Sequence, residues 1–411
     1  MLTVALVVPV FPKLSETFIV NKVLGLIDRG FDIRVIVQKL DTDAWSRFPA
    51  LVSRPEVMSR IVEVPDRAVV WSHATEAWRL MRLLASHPGL VRRYVRNGYK
   101  AVGSRVFRWL IRDLWILGTN PGLLHFEFGT LSVHRAEIGK WIGCKVITSF
   151  RGYDLNYVGL ESPDYYQSVW SATDAVHCLG KDLWDRAQRR GCPPDKWHVL
   201  IPPCIDAQFF SPRPRSVRGI VGTLERPLRI LSVGRLDWKK GHEYALTAMR
   251  ILLDRGVHAQ LKIVGNGEYL EAVMFCRRQL GLERHVEVLG GAPQAEVREH
   301  MQSSDVFLHA AVSEGFCNAV LEAQAMELPV VTSDADGLGE NVVDGSTGFV
   351  VRRRDPRALA DRLEKLAADG ELRSRIGAAG RRRVIDGFQL ADQIRAFGDL
   401  YEAVLSGKRG S

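Results

Sequence analysis

DVFLHAAVSEGFCNAVLEAQAME, residues 305–327, is the stretch on which the reading of this chain turns. Its apolar run Val306, Phe307 and Leu308 ends in a small-residue loop over 310–315, after which Phe316, Val320, Leu321, Ala325 and Met326 recur at helical spacing. The pattern predicts a strand, a sharp loop and a helix. Gly315 permits a turn that a side chain would obstruct. The amides of Phe316, Cys317 and Asn318 then become unpaired first-turn donors, an arrangement that suits an anion such as a phosphate. Glu314 precedes the predicted helix and Glu322 falls about two turns inside it. Eight helical residues would separate them by roughly 12 Å, too far for the carboxylate pair of a retaining glycosidase at about 5 Å. They are read instead as contacts to two parts of one long ligand, sugar hydroxyls and a ribose, with phosphates between. The plainer alternative is a chance pair, with Glu322 on the polar face of an amphipathic helix.

Outward from this stretch, the second half alternates strands and helices. A predicted strand over 229–233 runs into Gly234, Arg235, Leu236, Asp237, Trp238, Lys239, Lys240 and Gly241. A glycine with two cations at a strand end suits a diphosphate: Arg235 can engage two oxygens and Lys240 adds a point charge. The spacing is not that of a Walker loop. Strands are expected at 261–264, ending in Gly265, and at 285–289 and 329–332, with amphipathic helices over 355–367, 371–384 and 391–405.

EGFCNAVLE, residues 314–322, resembles the E-x7-E element of the retaining glycosyltransferases of family 4, and residues 234–241 are similar to that family's Gly-Arg-Leu-x-x-x-Lys-Gly element. The resemblance covers the C-terminal half strongly and the N-terminal half more weakly. It implies the GT-B fold, two Rossmann-like doubly wound α/β domains facing a central cleft. The expected division is 1–206 for the acceptor side, 207–385 for a nucleotide sugar, and a C-terminal helix over 386–411 crossing back to the first domain. It implies Glu314, Arg235 and Lys240 as catalytic residues, and Gly234, Gly265, Gly315, Phe316, Cys317, Asn318 and Glu322 as donor-binding ones. No metal and no cofactor beyond the nucleotide sugar is expected.

Composition is that of a soluble globular protein. The 411 residues allow two or more domains, with 46% apolar and 25% charged residues. No run of eighteen apolar residues occurs, and the apolar N-terminus lacks a basic leader and cleavage site, so it is read as a first strand. Six cysteines without a CxxC pair point to reduced thiols, a cytoplasmic setting and no zinc. The net charge of +9 suggests an anionic partner, a nucleotide, a membrane surface or nucleic acid, without choosing among them, and the expected partners are a nucleotide sugar and a glycan or other hydroxyl acceptor and not nucleic acid.

The first half also alternates, with predicted strands at 4–8, 33–37, 123–126, 145–150, 174–179 and 198–201. Helices are expected at 18–27, capped by Ser15, and at 132–141 and 181–190. No GxGxxG follows the first strand, which disfavours a dinucleotide cofactor. Glu16 and Thr17 in the loop after that strand, with Glu127, Arg151 and Asp154, are acceptor-side candidates by resemblance. Arg151 stands where the family commonly has histidine, and Glu127 where it has the second histidine of a His-x-His stretch. An arginine can clamp an oxyanion but cannot act as a base. Glu127 or Asp154, or the leaving phosphate, is left to take the acceptor proton. Residues 76–115 are basic and aromatic, either a peripheral membrane contact at anionic lipid or core-facing helices with a solvated side. Prolines at 202, 203, 212 and 214 mark a linker.

The expected activity is transfer of a hexose-type sugar from a nucleoside-diphosphate sugar to a hydroxyl of a polysaccharide, lipid-linked or small-molecule glycan, with retention and without metal. The alternatives are a non-catalytic nucleotide-sugar binder and a GT-B sugar epimerase.

Overall fold

The computed structural model describes residues 2–13, 16–64, 72–214 and 219–408. Ser15, the expected helix cap, and residues 215–218 of the linker lie outside the described residues. The chain forms two units, one of Met1–Ile201 with Gln393–Ser411 and one of Pro202–Asp392. Residues 202–206, assigned from the sequence to the first half, go with the second unit.

The first unit is built on seven parallel strands: β1 (Thr3–Phe11), β2 (Asp32–Leu40), β3 (Ile61–Glu63), β4 (Leu123–Phe126), β5 (Lys145–Phe150), β6 (Ala175–Cys178) and β7 (His198–Leu200). Their order is β3-β2-β1-β4-β5-β6-β7. Val4, Ala5, Leu6, Val7 and Val8 are all buried, the mark of a strand covered on both faces. Strand order reverses between β1 and β4, so the carboxyl ends of these strands open the crevice in which doubly wound sheets bind ligands. One layer of the core joins Ile19, Val20, Val23 and Leu26 of the helix Thr17–Asp28 to Phe397, Leu400, Tyr401 and Val404 of the helix Leu390–Ser406.

Two expectations for this unit change. The predicted helix over 132–141 is two short ones, Gly129–Ser132 and Ile138–Ile142, because His134 between them takes a left-handed backbone, φ 55°. Residues 76–115 lie on three helices, Ser72–Ser86, Pro88–Val102 and Arg105–Leu117, broken by Pro88 and by Gly103 at φ 61°. Their aromatic residues divide. Tyr94 and Trp115 are core, the former donating its hydroxyl to the buried Asp113 at 2.9 Å. Trp78, Tyr99 and Phe107 are exposed, together with Met81 and Leu84.

The second unit has six parallel strands: β8 (Leu228–Val233), β9 (Ala259–Val264), β10 (Val286–Gly290), β11 (Val306–His309), β12 (Val330–Ser333) and β13 (Gly348–Val351). Their order is β10-β9-β8-β11-β12-β13, with the reversal between β8 and β11. Leu246, Met249 and Leu252 of the helix His242–Asp254 pack with Ile230, Leu261, Ile263 and Leu308 of the sheet. Leu359, Leu363 and Leu366 of the helix Pro356–Ala368 close the same core. Both units are thus parallel Rossmann-like sheets, as expected. Among the described residues no helix is long and apolar enough to cross a membrane.

Candidate functional site

In the second unit the loops after β8 and β11 meet at the reversal of strand order. Gly241 has φ 61°, and a Cβ there would lie 2.2 Å from the Ala310 carbonyl oxygen. Only glycine lets the two backbones touch at that point. The amide of Val312 donates to the Lys239 carbonyl at 2.7 Å and locks the contact. Gly265, at the end of β9, fits as closely, since a Cβ would stand 1.8 Å from the Gly234 carbonyl oxygen. These approaches bring Arg235, Lys240 and Glu314 to one rim.

Lys240 Nζ is ion-paired with Glu314 Oε2, and His309 Nε2 lies 3.3 Å from the same oxygen. Burial alone would raise the Glu314 pKa, but the positive charge of Lys240 and the contact with His309 outweigh it and hold the carboxyl at about 2. Lys240 responds reciprocally: burial lowers its pKa, and the Glu314 charge more than reverses this. Asp336 braces the loop, its Oδ2 accepting from the Ser313 hydroxyl at 2.5 Å and the Glu314 amide at 3.2 Å. Arg353 holds Asp336 in turn, donating to its Oδ1 at 3.1 Å. Arg235 differs from Lys240: its side chain is exposed and has no hydrogen bond or ion pair among the described residues.

The helix begins later than the sequence suggested. It runs Asn318–Ala325 with Cys317 as its N-cap, so Glu322 is the fifth residue and lies about one turn in, not two. The Cys317 amide is also not a free donor, because Asn341 Oδ1 accepts it at 3.0 Å while Asn341 Nδ2 donates to the Cys317 carbonyl. Phe316 turns its ring into the unit, 5.9 Å from Phe388, so the side chain is an anchor. The amide of Asn318 remains at the first turn. Glu322 is partly buried and has no hydrogen bond or ion pair among the described residues; burial pushes its carboxyl up to about 7.

The first-unit candidates take different places. Glu16 is the backbone cap of the helix that Thr17 opens, and its side chain pairs with Lys13 at 2.8 Å. Glu127 is wholly buried, with Oε1 held by Lys22 at 2.5 Å and Oε2 by Arg151 at 3.0 Å. The expectation that it could take an acceptor proton is corrected: both oxygens are committed and out of reach. Asp154 is corrected likewise, being fully buried and accepting the amides of Arg151 at 2.9 Å and Thr130 at 3.1 Å. Of these candidates Arg151 retains an outward donor edge.

His309, Asp336, Asn341, Arg353 and Lys22 were not found from the sequence. The signal for His309 was present, a histidine closing an otherwise apolar strand, and Lys22 is a lysine on the apolar face of a helix. His309, Glu314 and Cys317 have ligand atoms within 4.8 Å of one another, a set that could hold a metal ion and that the cysteine spacing did not suggest. Lys240 competes there for Glu314.

The family model for Glycosyl transferases group 1 matches residues 217–383. A relative from Escherichia coli strain K12, provisionally assigned to colanic acid biosynthesis as the glycosyltransferase WcaL, is 30% identical over 384 residues, covering 86% of this chain and 87% of the relative. The amylovoran biosynthesis glycosyltransferase AmsK of Erwinia amylovora is 28% identical over 372 residues, covering 87% and 88%. Among solved structures, Anabaena Alr3699/HepE in complex with UDP-glucose superposes with a TM-score of 0.71 at 14% identity, covering 98% of this chain and 100% of that one. At that identity the likeness concerns the fold, which is GT-B.

Proposed function

The chain belongs to the glycosyl transferases group 1, and from that premise we propose that it moves a hexose-type sugar from a nucleoside-diphosphate sugar to a hydroxyl acceptor. The observation that carries this is the rim at the β8/β11 reversal, where the exposed Arg235 and the largely buried ion pair of Lys240 and Glu314 converge beside a helix start. Cleavage of the sugar to diphosphate bond develops charge on the departing phosphate. Arg235 and Lys240, with the first-turn amide of Asn318, stabilise it without a divalent metal. Glu314 accepts hydrogen bonds from the transferred sugar and Glu322 from the ribose. Retention at the anomeric carbon follows the resemblance to family 4. A polysaccharide or lipid-linked acceptor fits relatives named for colanic acid and amylovoran synthesis. The protein is read as cytoplasmic.

Incubation with a panel of nucleoside-diphosphate sugars tests the reading. Slow release of free nucleoside diphosphate from one donor is expected, with a faster rate when an acceptor is supplied. Binding without release from any donor would leave a non-catalytic binder, and a changed sugar would leave an epimerase.

Glu322 gives the donor site a pH signature. Its carboxyl, raised to about 7 by burial, accepts best from ribose hydroxyls when ionised. Nucleoside diphosphate affinity should therefore rise with pH through about 7 and level off above it. Calorimetric titrations across this range check the slope, and Glu322→Gln should remove all of it except the phosphate's own titration. An identical slope in the variant contradicts the assignment.

The exposed residues of the helices over 76–108 include Arg79, Arg82, Arg92, Arg93, Arg96, Lys100, Arg105 and Arg108 as well as Trp78, Met81, Leu84, Tyr99 and Phe107. We read them as a peripheral contact with anionic lipid at the inner face of a membrane. Sedimentation with anionic vesicles should occur at low salt and fade at high salt. Equal sedimentation with neutral vesicles would remove this contact.

A further inference from the structure

Arg151 lies at the carboxyl end of β5 in the first unit, beside the reversal of strand order, and its role there rests on the glycosyl-transfer reading above. Its Nε donates to the Glu127 carbonyl oxygen at 3.1 Å and its Nη2 to Glu127 Oε2 at 3.0 Å. Glu127 therefore takes the side edge of the guanidinium. The cation lies over the Phe18 ring, 4.1 Å from its centroid, with Phe128 at 5.3 Å. Below, Lys22 holds the other Glu127 oxygen at 2.5 Å and sits 3.5 Å from the centroid of Phe397. The two aromatic neighbours and the doubly bound carboxylate fix where the guanidinium points.

Among the described residues nothing occupies the end edge of Arg151. Nη1 and the second hydrogen of Nη2 have no partner among the described residues, and the side chain is 13% exposed. Neither nearby carboxylate neutralises that edge. Glu127 has spent both oxygens on the far side, and Asp154 is buried with its oxygens on the Arg151 and Thr130 amides. Two parallel N–H donors on a permanently charged, immobilised group match two oxygens of one oxyanion. A neutral sugar hydroxyl fills only part of such a fork. We propose that Arg151 binds an oxyanion, phosphoryl or carboxylate, carried by the acceptor, so that the first unit selects an acidic acceptor over a neutral one.

Ligand-observed NMR on the full chain tests this with glycerol 1-phosphate, methyl β-D-glucuronide and the neutral methyl β-D-glucoside. At least one anionic probe should bind about tenfold or more tighter than the glucoside. Arg151→Gln should abolish that preference, and Arg151→Lys, which keeps the charge but not the fork, should retain part of it; thermal unfolding establishes that both variants are folded. Tighter binding of the phosphate identifies a phosphorylated acceptor, and of the glucuronide a uronic acid. Equal binding of all three probes, or an anion preference that survives Arg151→Gln, overturns the inference. So does loss of the preference in Arg235→Ala alone, because the probe would then be occupying the second unit. Failure of the wild-type chain to bind any nucleoside diphosphate, with the Arg151-dependent preference intact, would sink the donor reading and leave the oxyanion site standing.

Discussion

Arg235→Ala is expected to lower kcat/KM by about 10²-fold or more, equivalent to about 3 kcal/mol of transition-state stabilisation. Lys240 is already paired with Glu314, whereas Arg235 is exposed and has no side-chain partner among the described residues. It can thus turn its whole guanidinium to a departing phosphate, whereas Lys240 shares its charge with Glu314. The same exposure means that the substitution should leave the unfolding midpoint nearly unchanged, separating lost catalysis from lost folding. Steady-state kinetics against the donor found in the panel measures the effect. A change within threefold would remove Arg235 from the phosphate.

The second large effect is expected at Glu314. Glu314→Gln keeps the shape of the side chain and removes its charge, so turnover should fall by roughly 10²-fold if the carboxylate orients the transferred sugar. Nucleoside diphosphate binding should be no weaker. Binding is expected to hold or tighten, because Lys240 shares its charge with Glu314 in the wild-type protein and gives all of it to the phosphate in the variant. Kinetics combined with calorimetric binding of the diphosphate separates these terms. Weakened diphosphate binding with unchanged turnover would mean that Glu314 serves only to hold Lys240 in place.

The fold was legible because its signals are local. Apolar runs such as 4–8, 145–150 and 306–308 stand between amphipathic segments, and this alternation specifies parallel sheets wrapped by helices. Errors fell where a partner distant in sequence, or a backbone conformation that the residue type does not announce, overrode the local pattern. The start of the helix after β11 is set by Asn341, 24 positions from Cys317, which takes the amide that spacing alone left unpaired. The helix expected over 132–141 is interrupted at His134, a residue type that tolerates the left-handed region but does not announce it. The stretch over 76–115 has helices whose aromatic residues divide between core and surface, Tyr94 and Trp115 inside and Trp78, Tyr99 and Phe107 outside, a division that periodicity over so many rings did not resolve.

The chain's own letters were enough to determine the two-unit α/β architecture and the group of residues around 234–241 and 314–322, because strand periodicity and loop spacing are written over a few neighbouring positions. Tertiary structure alone decided which charges are free to act. Lys22 meets Glu127 across 105 positions and Tyr401 meets His125 across 276, and no spacing rule reaches so far. In a buried setting, where an unpaired charge costs several kcal/mol, such partners determine whether a carboxylate is available chemistry or fixed scaffolding. That is why Glu127 became the support of Arg151, while Arg235 remained open to a ligand.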